Sequence, residues 1–264
     1  MIGTIRMGLA LAFAAASTLV LALTQAVLLK TGLGNPHVMP RLWHRCVLKA
    51  LGFRVHAVGA LSDRRPLLIA ANHVSWTDIG VLGSLANVSF IAKSDMAHWP
   101  VMGWLATLQR TVFVERERRH RSGNQVNEIA RRLKAGDVMV LFAEGTTGDG
   151  NAILPFKSTL FGAATMAIGP GGSDEVAIQP VAIAYTRRHG MPLGRTGRMA
   201  LSWIGDQDLA PHIVELLRSG GVDVEVRFGE PVTFSADTDR KEAARAVEAR
   251  VGKMMQAALH GRTG

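Results

Sequence analysis

The residues Asn72-His73-Val74-Ser75-Trp76-Thr77-Asp78 hold the clearest chemistry in the chain. They directly follow the apolar run Leu67–Ala71, which reads as a strand. Open α/β sheets place their sites at the carboxyl ends of strands. His73 and Asp78 are five positions apart. On one continuous helix that spacing would point them about 140° apart. They meet only if His73 lies in a turn and Asp78 in the first turn of the next helix. Asp78 would then accept one imidazole N–H and fix the tautomer, leaving the other nitrogen as a base. Ser75-x-x-Asp78 also has the spacing of a capping box, which would explain Asp78 without catalysis. The spacing alone leaves both readings open.

Two more polar clusters follow strand-like runs. Val138–Phe142 leads into Ala143-Glu144-Gly145-Thr146-Thr147-Gly148-Asp149-Gly150. A Gly-rich turn lets backbone N–H groups approach a polar or anionic ligand, although most such loops are simply solvated. Thr111–Val114 leads into Glu115-Arg116 and a mixed-charge run through Arg121. Arg116 could grip a phosphate or carboxylate bidentately, whereas a run of mixed charge is usually a solvated face. One sheet would gather all three clusters at one edge.

The elements that must position them alternate. Apolar runs at Leu67–Ala71, Ser89–Ala92, Thr111–Val114, Val138–Phe142, Val176–Tyr185, Met199–Ile204 and Val222–Phe228 read as strands. Helical patterns lie between them at Thr77–Ala86, Ser122–Ala135 and Phe156–Ile168. This predicts an α/β fold, a mostly parallel central sheet flanked by helices. Pro180 inside a strand run predicts an edge or a kink. Thr238–Leu259 reads as a closing helix with Asp237 as its N-cap.

Ahead of this domain, Met7–Leu29 is a run of 23 uncharged residues, 18 of them apolar. As a helix it is about 34 Å long, enough to span or embed in a bilayer core of about 30 Å. A cleaved signal peptide fits less well, because the run exceeds the usual apolar core and only Arg6 precedes it. Lys30, Arg41, Arg45 and Lys49 follow it, which places the remainder in the cytoplasm, on the inner (cytoplasmic) membrane. Pro40–Phe53 reads as an amphipathic helix. It sets Leu42, Trp43, Cys46, Val47, Ala50 and Leu51 against Arg41, Arg45 and Lys49. Such a helix suits a membrane interface or an ordinary core face. The expected division is 1–60 for the N-terminal membrane-embedded helix and amphipathic helix, and 61–264 for the α/β domain.

Composition narrows the partners. The 264 residues carry 30 Lys+Arg against 21 Asp+Glu, a net +9, with 48% apolar residues. That excludes a disordered chain and points to an anionic partner, nucleic acid or a phospholipid surface. Aromatics for base stacking are few, and the apolar segment has no use on a nucleic-acid binder. A single Cys, Cys46, excludes a disulfide framework and a Cys-based zinc site. There is no H-E-x-x-H, C-x-x-C, G-x-x-x-x-G-K-[ST] or G-x-S-x-G. No metal is expected. A non-enzymatic membrane-tethered lipid-binding protein would share the anchor and the charge, but not the His73/Asp78 pairing.

The combined motifs resemble the glycerolipid acyltransferases, the 1-acyl-glycerol-3-phosphate acyltransferase group. Asn72-His73-x4-Asp78 looks like their H-x4-D motif, and Val112-Phe113-Val114-Glu115-Arg116 like the second, which ends in a substrate-binding Arg. Phe142-Ala143-Glu144-Gly145-Thr146 is similar to F-P-E-G-T and continues through Leu154-Pro155-Phe156-Lys157. Ile178-Gln179-Pro180-Val181-Ala182 resembles the fourth, built around a Pro. Order and spacing match from about residue 65 to 185. The resemblance implies a membrane-bound O-acyltransferase with the site facing the membrane. His73 would be the general base and Asp78 its orienter, while Arg116, Glu144, Gly145 and Thr146 would bind the acceptor. It implies no cofactor. The partners would be a lysolipid acceptor, an acyl carrier protein or acyl-coenzyme A donor, and an anionic membrane surface. One departure matters. The family usually has Arg after E-G-T, and this chain has Thr147. The E-G-T-T-x-D-G form looks like the branch that acylates lyso-ornithine lipid.

Overall fold

The computed structural model describes residues 2–114, 122–168, 174–205 and 207–261. Two helices come first, α1 (Ile2–Thr31) and α2 (Val38–Leu51), followed by β1 (Phe53–Val58), β2 (Leu67–Ala71) and α3 (Thr77–Leu85). Then come β3 (Ser89–Lys93), α4 (Met102–Leu108), β4 (Val112–Val114), α5 (Ser122–Lys134) and β5 (Val138–Phe142). α6 (Gly162–Ala167), β6 (Glu175–Arg188), β7 (Met191–Pro192) and α7 (Arg195–Met199) lead to α8 (Leu209–Ser219), β8 (Val222–Phe228), β9 (Val232–Ser235) and α9 (Arg240–Leu259).

The strands form one sheet in the order β1-β8-β6-β2-β5-β3-β4, with β7 and β9 also paired to β6. From β2 the chain runs outward through β3 and β4. It returns to β5 beside β2, then crosses to β6 on the other flank of β2. β2, β3, β4, β5 and β6 are parallel where they pair, and the antiparallel ladders are those of β6 with β7, β8 and β9. The sheet is therefore mostly parallel and reverses direction around β2, the place where open sheets form a crevice.

Both faces are covered, which is why β2 and β5 are apolar throughout rather than alternating. Leu68 and Ala70 pack with α5, α6 and α9 on one face. Leu67, Ile69 and Ala71 pack with α2, α3 and α8 on the other.

Four expectations change. Met199–Ile204 is not a strand. Met199 ends α7, and Leu201 and Ser202 are buried in the turn that follows. The Phe156–Ile168 pattern divides into a 3-10 turn at Ser158–Phe161 and the short α6. Pro180 lies on no edge. β6 changes antiparallel partner beside it, from β9 at Ile178 to β8 at Val181, so its missing N–H leaves no ladder bond unmade. The Pro180 carbonyl still accepts from Gly229 N–H at 2.9 Å. The closing helix is capped by Asp239 rather than Asp237, its carboxylate accepting from Lys241 and Glu242 N–H.

The N-terminal helices lie against the body. α2 buries His44, Leu48 and Leu51, while Leu42, expected on that face, is 43% exposed. Arg41 and Arg45 donate to the Ser84 and Leu85 carbonyls at the end of α3, as cations near a helix C-terminus do. Gly52 ends α2 at φ 78°, where a Cβ would sit 2.9 Å from Gly221 N. β1 then pairs with β8, so the sheet begins ahead of residue 61.

Candidate active site

The chain leaves β2 at Ala71 with Asn72 buried. Asn72 Nδ2 donates to the Ile183 carbonyl (3.0 Å) and its Oδ1 accepts from Ile183 N–H (2.8 Å). The side chain thus mimics a strand residue and ties the turn to β6. Residues 73–76 turn over the end of the sheet, and α3 starts at Thr77. Asp78 therefore falls in the first turn, and His73 Nδ1 lies 2.8 Å from its Oδ2.

Asp78 is fully buried and collects donors. Oδ2 also accepts from Val74 N–H (2.6 Å) and Ser75 N–H (3.0 Å), and Oδ1 accepts from the Tyr185 hydroxyl (2.6 Å). Asp78 thus makes only the carboxylate half of the expected capping box, since α3 begins without a side-chain cap bond, and the same carboxylate oxygen faces His73. A carboxylate only accepts, so His73 Nδ1 carries the proton, and in the neutral ring Nε2 is the nitrogen with the lone pair. The ring is stacked on Phe142 at 3.9 Å and 12°, which fixes its plane, and the side chain keeps 17% exposure. A neutral imidazole so held can take a proton from an incoming hydroxyl.

Glu144 sits beyond the end of β5 and is buried. Its carboxyl accepts from the His73 N–H (3.3 Å) and the Leu154 N–H (3.1 Å). Burial pushes its pKa up to about 8, against the pull of those two N–H groups. Gly145 follows at φ 72°, a turn that favours glycine. Gly148 N–H returns to the His73 carbonyl at 2.8 Å. The loop after β5 and the turn after β2 are thus stitched into one unit. Thr147 Oγ1 donates to the Trp203 carbonyl.

The structure brings together His73, Asp78, Glu144 and Gly145. Thr146 is on the exposed rim of the same loop. Arg116 lies outside the described residues. Sequence reasoning missed Tyr185 and Phe142. Tyr185 is the only tyrosine in the chain and lies toward the end of β6, which was a usable signal. Among the described residues no cluster of His, Cys, Asp or Glu could hold a metal ion.

Beside the site is an apolar pocket between α2, α3, β3 and α4. Trp76, Thr77 and Phe90 line its inner end, and Phe90 stacks on Phe142 behind the His73 ring.

The family described as Acyltransferase matches residues 52–184. The chain belongs to the acyltransferase family. The acyltransferase is 55% identical over 262 residues to the lyso-ornithine lipid O-acyltransferase of Brucella abortus (strain 2308), covering 99% of this chain and 98% of that one. It is 38% identical over 120 residues to the 1-acyl-sn-glycerol-3-phosphate acyltransferase of Neisseria meningitidis, covering 44% and 46%. The crystal structure of the 1-acyl-sn-glycerophosphate (LPA) acyltransferase of Thermotoga maritima has the same fold (TM-score 0.60, 22% identity, 99% of each chain).

Two predictions concern this site in the acyltransferase. Between pH 4.5 and about 8 an unfolded Glu144 has lost its proton and the folded one holds it. The folded state then binds more protons, so stability falls as pH rises, by about 1.4 kcal/mol per pH unit at most. Denaturant titrations at pH 5, 6, 7 and 8 should show Glu144→Gln with a flatter dependence than the parent. Equal slopes would refute the assignment. Tyr185→Phe strips one donor from buried Asp78 and should cost about 1–3 kcal/mol of stability. Turnover should fall less than with Asp78→Asn, since the negative charge beside His73 remains.

Proposed function

We propose that this chain is a membrane-bound O-acyltransferase that moves a fatty acyl group from an acyl thioester to the free hydroxyl of a lysolipid. The donor is an acyl carrier protein or coenzyme A thioester. The observation that carries this reading is the His73 Nδ1 to Asp78 Oδ2 contact of 2.8 Å, which leaves Nε2 as the base. His73 Nε2 takes the proton as the acceptor oxygen attacks the thioester carbonyl. The new C–O bond forms, the C–S bond breaks, and the imidazolium returns the proton to the leaving thiolate. Such catalysis contributes about 10²–10⁴-fold. Glu144, Gly145, Thr146 and Arg116 position the acceptor, and the apolar cavity takes an acyl chain.

Lyso-ornithine lipid is the acceptor we favour. The full-length likeness to the Brucella protein supports it, as does Thr147, a neutral residue turned to the Trp203 carbonyl where the resemblance calls for a phosphate-binding Arg. Lysophosphatidic acid is the second reading, favoured by the partial likeness to the Neisseria protein. Supplying both lysolipids to the purified protein with one labelled donor decides between them. Transfer to neither would sink the proposal.

The membrane is met through α1. Leu9, Leu19, Val20, Leu23 and Val27 are 56–68% exposed along it. Yet α1 is tied to the body at Arg6 (to the Leu217 carbonyl, 2.6 Å), at Thr18 (from Trp43 Nε1, 2.8 Å) and at Gln25 (to the Leu108 carbonyl, 2.9 Å). Those ties span about 28 Å of helix. In our reading α1 embeds along the cytoplasmic leaflet of the inner membrane, beside anionic lipid, and does not cross. With Cys46→Ser as background, cysteines at Met7 and Gly32 should both react with an impermeant maleimide from the cytoplasmic side. Labelling of one from the opposite side would overturn it.

A further inference from the structure

The rim of the site carries two opposite charges that are held apart. Gly148 N–H donates to the His73 carbonyl at 2.8 Å, and a Cβ at Gly150 would lie 3.1 Å from Val74 Cγ1 and 3.6 Å from Arg198 Cβ. Asp149 stands between these two glycines, so it is fixed beside the turn that carries the base. Its carboxylate accepts from Asn151 N–H at 2.9 Å (Oδ1) and from Asn151 Nδ2 at 3.1 Å (Oδ2). The other end of the same carboxamide, Asn151 Oδ1, accepts from Arg198 Nε at 2.9 Å. Arg198 Nη1 donates to the Leu193 carbonyl at 2.6 Å, and Leu193 N–H is tied to the carbonyl of Thr186, next to Tyr185 on β6, at 2.9 Å. A neutral carboxamide thus separates the carboxylate from the guanidinium. Among the described residues neither Asp149 nor Arg198 closes an ion pair within 4.0 Å. Both side chains are half-buried, and Arg195, exposed at the start of α7, adds a second cation. The Asn151 N–H holds the Asp149 carboxyl below the usual carboxylate range, helped by the Arg195 charge, so it stays ionised.

We infer that Asp149 and Arg198 read the head group of the acceptor, a zwitterion whose ammonium meets Asp149 and whose carboxylate meets Arg198. The inference rests on the proposed acyl transfer to lyso-ornithine lipid. An ornithine acylated on one amine keeps both an ammonium and a carboxylate, and charges of both signs held apart match such a group. A carboxylate has about four acceptor sites. Asn151 and the Ala152 N–H take three of those on Asp149, which leaves room for an ammonium. Arg198 spends Nε and Nη1 within the protein and keeps Nη2 for a carboxylate oxygen. The cation absent at Thr147 is thus supplied from α7, but beside a carboxylate. That pairing repels a phosphate monoester and accepts a zwitterion.

The test uses the full-length protein, one acyl donor and three acceptors. These are lyso-ornithine lipid, the same lipid with its amine acetylated, and the same lipid with its carboxyl as a methyl ester. The parent should prefer the unmodified lipid about tenfold in kcat/KM over each blocked form, as one charge-assisted hydrogen bond on a partly exposed rim supplies. Asp149→Asn should bring the amine-blocked ratio toward one and leave the ester ratio in place, and Arg198→Gln should do the converse. Loosening of the loop slows all three acceptors alike and does not give that crossed pattern. A thermal melt accompanies each variant. Where Arg198→Gln does not melt cooperatively, the parent ratios and Asp149→Asn decide alone. A parent that uses the three acceptors equally overturns the inference and leaves acyl transfer standing. Variants that slow all three alike, or that leave the parent ratios unmoved, also overturn it and return both residues to bracing the loop. Transfer to lysophosphatidic acid alone defeats the acceptor reading and this inference with it. No product from any acceptor defeats acyl transfer itself.

Discussion

Replacing His73 by Ala should lower acyl-transfer kcat/KM by about 10²–10⁴-fold while leaving the fold in place. The rate follows from the loss of the imidazole that Asp78 holds beside the Glu144 loop. The preserved fold follows from Asp78. Without the imidazole its carboxylate still accepts from Val74 N–H, Ser75 N–H and the Tyr185 hydroxyl, so no buried charge is stranded. The His73 backbone links to Glu144 and Gly148 do not involve the side chain and also persist. The measurement pairs initial rates in mixed micelles with a thermal melt of the same preparation. Parent-level transfer from a folded His73→Ala protein would end the general-base mechanism. A protein that neither transfers nor melts cooperatively would instead refute the claim that Asp78 keeps its donors.

The strands were readable where both faces of the sheet are covered. Leu67–Ala71 and Val138–Phe142 are unbroken apolar runs because helices pack on both sides of them. Short or marginal elements were not. β9 is four residues at an antiparallel ladder, and β1 begins at Phe53, where the expected Pro40–Phe53 helix ends. Met199–Ile204 misled because apolar residues in a buried turn look like a strand when only hydropathy is read. At the site, the five-residue gap between His73 and Asp78 allowed a contact only with His73 in a turn and Asp78 in the first turn of the next helix, the arrangement that α3 has. No spacing rule could place Tyr185, over a hundred residues away, on Asp78, since that contact exists only once β6 lies beside β2. Phe142 read as a core strand residue, and only its position at the strand's end makes it the surface on which the imidazole rests.

Asp78→Asn should cost turnover up to as much as His73→Ala, about 10²–10⁴-fold. The amide can be seated without collapse. Its oxygen can take the crowded position that accepts from His73 Nδ1, Val74 and Ser75. Its NH₂ then faces the Tyr185 hydroxyl, which can turn its proton to Thr77 Oγ1, 2.6 Å away. Capping therefore survives, and what is lost is the negative charge that stabilises the imidazolium formed as the acceptor hydroxyl is deprotonated. The two readings of Asp78 now part company. A cap alone predicts near-parent rates for Asp78→Asn, and a product of separate effects when it is combined with His73→Ala. A dyad acting as one unit predicts a double variant no slower than His73→Ala, because once the base is gone there is no imidazolium left to stabilise. Rates of the two single variants and the double, taken with one donor and one lysolipid, decide it. Additivity would return Asp78 to a purely structural role, and with it the case for His73 as an oriented base.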